Sequence, residues 1–121
     1  MAQPDMFNTS SILGSTDVQN VTTAASAITS NAAASNKVYK INSLIVSNID
    51  GTNAADITVD LFRSSTAYHI ASTVTVPADA TLVVISKDMG IYLLEGDAIR
   101  CTASVNGDLQ AICSYEIIDD A

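Results

Sequence analysis

At 121 residues the chain is the size of one domain and too short for two ordinary ones. Thirteen acidic residues against five basic ones leave a net charge of −8, and the five cations, Lys37, Lys40, Arg63, Lys87 and Arg100, are scattered along it. Affinity for nucleic-acid phosphate comes from clustered Lys and Arg, so this balance argues against a nucleic-acid partner.

Residues 1–36 contain no Lys or Arg and are mostly Asn, Ser, Thr, Ala and Gly from Asn8 onward. They read as an extended N-terminal arm. Its sparse apolar residues, Met6, Phe7, Ile12, Leu13 and Val18, are too few to fold alone. Such a segment either lies along a sheet edge or a neighbouring subunit, or is a floppy tail; in the first case these five residues are the interface. Within the arm, residues 18–29 (VQNVTTAASAIT) can supply one strand of small side chains. The arm reads as separable, so removing residues 2–30 is expected to leave a folded domain over residues 37–121.

That domain alternates between apolar runs and turn signals. Residues 37–48 form the first strand, closed by Asp50-Gly51. Residues 56–63 alternate cleanly, with Ile57, Val59 and Leu61 on one face. After Ser64-Ser65-Thr66, residues 68–76 alternate again, with Tyr68, Ile70, Val74 and Val76 on the apolar side and His69 on the polar side. Pro77 breaks the ladder because it has no N–H to donate. Residues 82–85 (LVVI) are apolar on both faces, as in a strand covered on both sides. Residues 91–94 make a short strand ended by Glu95-Gly96-Asp97. Residues 98–105 and 109–118 flank Asn106-Gly107, the strongest short-range hairpin signal in the chain. Seven or eight short strands with turn chemistry between them indicate an all-β fold, an antiparallel β-sandwich, jelly-roll-like in its strand count.

Searching this pattern for chemistry yields little. The single histidine, His69, has Ser72 near it in sequence but on the opposite face, and neither sits in a nucleophile elbow. The five glycines are isolated turn residues, so no phosphate loop is present. Acids gather loosely at Asp50 and Asp56, at Glu95 and Asp97, and at Asp119-Asp120, without calcium-loop spacing. A weak cation site over residues 50–53 competes with the plainer reading of a solvated turn. With no Trp and six scattered aromatics, a sugar-binding platform is poorly supported. Cys101 and Cys113 share the apolar parity of the last hairpin and read as two buried free thiols. No stretch approaches the roughly 18–20 apolar residues that span a bilayer, so no membrane partner is expected. Residues 1–5 (MAQPD) lack a basic stretch followed by an apolar run, and no signal peptide is expected. No catalytic residue, metal or cofactor is assigned, and the chain is not read as an enzyme.

Three segments carry a resemblance: residues 38–53 (VYKINSLIVSNIDGTN), 74–87 (VTVPADATLVVISK) and 91–104 (IYLLEGDAIRCTAS). Across residues 37–118 the chain resembles a group of small structural proteins of tailed bacteriophages, well represented in phages of cyanobacteria. The resemblance implies a β-sandwich component of the virion, assembled in the host cytoplasm, with no catalytic residues to carry over. A capsid decoration (cement) protein is the leading expectation. It would form a homo-oligomer, a trimer being the first guess, and bind the major capsid protein or other virion proteins. The alternatives are a neck, tail or baseplate component and, further off, a glycan-binding module at a fibre tip.

Overall fold

The computed structural model describes residues 11–119, which form two antiparallel sheets. In chain order the strands are β1 (Ser11–Asn20), β2 (Ser26–Ser30), β3 (Lys37–Asn48), β4 (Ala55–Arg63), β5 (Thr66–Val76), β6 (Thr81–Ile85), β7 (Ile91–Leu93), β8 (Ala98–Ala103) and β9 (Leu109–Asp119). A 3-10 turn at Lys87–Met89 separates β6 from β7. One sheet runs β1-β9-β3-β6, with β7 also paired to β3; the other runs β2-β8-β4-β5. The all-β sandwich read from the alternation is therefore the fold of the described residues.

The pairing is nested. The first strand lies beside the last, β2 beside β8, β3 beside β6 and β7, and β4 beside β5. Most connections must therefore cross from one sheet to the other. Between the sheets, alternate side chains of β3 (Ile41, Leu44, Val46), β4 (Ile57, Val59), β8 (Ile99, Cys101) and β9 (Leu109, Ala111, Cys113) make one core. Each Val, Leu or Ile fully buried there contributes about 1.5–3 kcal/mol. Within the core, the Tyr39 and Tyr115 rings stack at 5.2 Å.

Two buried asparagines hold the ends of the central strand β3. Before it, Asn31 donates through Nδ2 to the carbonyls of Lys37 (2.8 Å) and Leu93 (3.1 Å), and accepts from Ser35 Oγ. At its end, Asn48 donates to the carbonyls of Asn53 (3.0 Å) and Val76 (2.9 Å) and accepts from the Asp50 N–H. Between them the two amides satisfy the carbonyls of three strand-end residues, Lys37, Leu93 and Val76, and of Asn53 in a loop.

Several expectations from the sequence need correcting. Residues 11–30 are not a detachable arm: β1 completes one sheet and β2 the other, and Val21 between them is 1% exposed in the core. The single strand expected over residues 18–29 is two strands in different sheets, because the chain bends after Asn20 and crosses over. Around Asn106-Gly107 the chain turns, with Gly107 at φ +89°, but no hairpin forms. The sides of β8 are taken by β2 and β4 and those of β9 by β1 and β3, so the two strands face each other across the core. Residues 82–85 are not covered on both sides either. They end a sheet, and Val83 is 58% exposed on its outer face.

Candidate interaction surface

Of the interface candidates named from sequence, Ile12, Leu13 and Val18 lie on β1 and are 60%, 62% and 74% exposed. Met6 and Phe7 lie outside the described residues. β1 is an edge strand, paired to β9 without a break from Ser11 opposite Asp119 to Asn20 opposite Gln110. Period-2 alternation puts Ser15, Asp17 and Gln19 on its inner side and Ile12, Gly14, Thr16, Val18 and Asn20 on its outer side.

The inner side is clipped to the other sheet. The Asp17 carboxylate accepts from Thr29 Oγ1 on β2 (2.9 Å) and from the Tyr115 hydroxyl (3.0 Å), while Gln19 Nε2 donates to the Ala27 carbonyl (3.0 Å). Burial, and the neighbouring Asp17 charge, hold the Tyr115 phenol above its ordinary range. The strand is thus tied down from beneath while its outer side stays open.

On that outer side the register builds an apolar row that sequence reading missed. Val18 lies opposite Ile112, Ile112 opposite Ile45, and Ile45 opposite Val83, so four β-branched residues cross the sheet from edge to edge. Ile112 is 37% exposed and Ile45 half-buried. The signal was present as apolar residues on the wrong parity of β3 and β9, but it is readable only once the register is known. One row further along is polar and uncharged, with Asn20 bonded to Gln110 and Ser47 to Thr81. On the other side come Thr16 bonded to Ser114, then Glu116 beside Lys40. A shallow open groove of about 320 Å³ lies along Val18, Asn20, Gln110 and Ile112.

Unlike His69, the candidates Asp50, Asp56, Glu95, Asp97, Cys101 and Cys113 are engaged structurally. His69 is exposed on β5; its cross-strand neighbour Asp60 is buried and bound to Arg100 Nε (2.9 Å), so no triad is assembled with it. The Arg100 guanidinium also lies 4.0 Å over the Phe62 ring, a cation–π contact on the outer face of the second sheet. Asp97 is ion-paired to Arg63, and Glu95 accepts from the Asn36 N–H. Asp56 accepts from Thr75 Oγ1, and Asp50 caps its own turn by accepting from the Thr52 N–H (2.8 Å). Cys101 and Cys113 are buried free thiols, and burial pushes the Cys101 thiol up to about 12. Among the described residues no three His, Cys, Asp or Glu side chains converge as a metal site requires, and no helix is long and apolar enough to cross a membrane. No family model matches the chain, and no curated protein aligns with it significantly.

Proposed function

We propose that this protein is a non-enzymatic structural component of a tailed-phage virion, a capsid decoration protein that binds the outer surface of the head and stabilises its lattice. One observation carries the adhesive reading: an exposed apolar row spans a whole sheet and ends at an open edge strand, Val18 to Val83. Apolar surface gathered in this way is characteristic of an interaction site.

The virion setting is supported by the resemblance of residues 37–118 to phage structural proteins. The nested strand order supports a jelly-roll reading as well, since rolling one long hairpin pairs first with last and second with next to last. Viral capsid domains are often built this way. The partners are the major capsid protein or other virion proteins, together with further copies of this chain, and no cofactor is needed.

The mechanism is mass action. A ligand that binds only the assembled lattice stabilises it by about 2.7 kcal/mol per site when its free concentration is 100 times its dissociation constant. Summed over a shell, this resists internal pressure without any chemical step. The net charge of −8 suits a place outside the packaged DNA. Quantitative mass spectrometry of virions carrying this chain tests the proposal. We expect copies on the order of hundreds, as icosahedral symmetry of a closed shell dictates. A single ring's worth of copies would move the protein to the neck or tail, and absence from the particle would overturn the reading.

A further inference from the structure

The β1 edge differs from the other sheet edges. β2 is five residues long and shifts register between Ala27 and Thr29. β5 carries two register shifts against β4, with Thr73 at φ +50°. β6 is five residues long, its register also shifts, and the 3-10 turn separates it from the three-residue β7. Short strands and bulges are the devices by which proteins keep an edge from pairing with another chain. β1 has neither. It runs ten residues in unbroken register, with no Lys, Arg or Pro, and its one charge, Asp17, is turned inward onto two hydroxyl donors.

We infer that β1 pairs antiparallel with β1 of a second copy of this chain, about a two-fold axis at Ser15, joining two five-stranded sheets into one. The charge distribution favours a second copy as the occupant. Two chains of net charge −8 repel each other, and they approach most easily where the surface carries no charge. The outer side of β1 and the rows at Val18 and Thr16 meet that condition, and the two charges in the row at Gly14, Glu116 and Lys40, are of opposite sign and paired with each other.

The register follows from the faces. Residues directly opposite in an antiparallel pair point to the same side, so an axis through Ser15 sets Val18 opposite Ile12 of the second copy and Thr16 opposite its Gly14. Gly14 has open space above it to receive that threonine. Asp17 then faces Leu13 of the second copy, so no two carboxylates meet. Ile12 belongs to a further apolar row, opposite Ile118, which is opposite Val38. The row from Val83 to Val18 therefore runs on into Ile12 of the second copy, which is 60% exposed, and ends there, because Ile118 and Val38 beyond it are buried. The shared ladder, from Ser11 to Gln19, is about 30 Å long. A two-fold contact of this kind is self-complementary, which fits a chain whose β1 edge has to meet itself.

This inference shares with the proposed function the reading of β1 as an interface, but it does not need the virion setting. Its test is made on the purified full chain. Sedimentation equilibrium should give twice the chain mass. Ser15→Cys should cross-link to a covalent dimer on mild oxidation, because opposite residues in either kind of antiparallel pair lie within disulfide reach. The native thiols are buried in the core and do not compete. Val18→Lys should halve the mass, Val18→Lys combined with Ile12→Glu should restore it, and Val83→Lys at the far edge should leave it unchanged. A monomer at millimolar concentration, a trimer, or a dimer that Ser15→Cys fails to cross-link would overturn the inference. A dimer that is absent from virions would leave it standing and overturn the proposed function instead.

Discussion

A carboxylate taken out of water must be met by fixed donors, and Asp97 is met by Arg63 Nε (3.0 Å), Arg63 Nη2 and the Leu94 N–H (2.8 Å). Its side chain is 4% exposed, that of Arg63 39%. Removing one partner of a buried pair costs about 3–5 kcal/mol, and water that reaches the half-open Arg63 position lowers this. Arg63→Ala is therefore expected to destabilise by about 2 kcal/mol in urea unfolding. Asp97→Asn should cost less than Arg63→Ala, since its amide oxygen still accepts from Leu94. Asp50 and Asp108 make a second residue-scale case. Hydrogen bonds from the Thr52 and Asn53 backbone hold Asp50 below its ordinary value of 3.8. Partial dehydration, and then the Asp50 charge, lift Asp108 above it. As pH falls, Asp108 takes its proton first and in the folded state more readily than in the unfolded, so it adds stability on the acid side. Asp50 does the reverse, supporting the fold above 3.8 and losing that support as pH falls through its lowered value. Carboxyl NMR titration should show the two midpoints on opposite sides of 3.8, and Asp50→Asn should move the Asp108 midpoint part of the way down.

At the scale of elements, the β4–β5 hairpin turns at Ser64 and Ser65, at φ +53° and +61°. Two left-handed residues match the right-handed strand twist, but each costs a non-glycine residue about 1–2 kcal/mol. Ser65→Gly is therefore expected to raise stability by roughly 1 kcal/mol, net of the entropy glycine adds to the unfolded chain. Thermal melting would check it, and an unchanged or lower midpoint would count against the strain argument. This turn also shows what sequence could and could not reveal. Alternation located β3, β4, β5 and β9 well because one side of each is packed and the other is not. Asn106-Gly107 correctly marked a sharp turn, but turn chemistry is local. Which strand lies beside β8 is settled by β2 and β4, far away in the chain. Asn106 instead accepts from the Thr23 N–H (2.9 Å), fastening the crossover between β1 and β2.

For the whole molecule, the first twenty described residues matter most. Composition alone made residues 11–30 look like an arm, because Ser, Thr, Ala and Gly bury little apolar surface. Their place in the sheets is supplied by backbone pairing to β9 and β8 and by Val21 and Ile28, which no local periodicity distinguishes from a loop. The candidate surface was half visible for the same reason: Ile12, Leu13 and Val18 were named from sequence, while Ile112, Ile45 and Val83 join Val18 only through register. Deleting residues 2–30 is accordingly expected to strip one edge from each sheet and uncover Leu109, Ala111 and Cys113, leaving a chain that melts without a cooperative transition. A sharp calorimetric peak for that variant would show that β3 to β9 suffice. Because first and last strands must meet before the sandwich closes, folding belongs with the slower, non-local β topologies, in the range of about milliseconds to seconds.

The register that sets Ser11 across from Asp119 fixes a single corner where the described polypeptide enters and leaves. A label, tether or passenger domain joined directly at Ser11 or at Asp119 would hang from that corner. The far end of the sandwich, with Asn48 and the Asp50 turn, would stay clear, so a display scaffold built on this chain would offer two attachment points at one address.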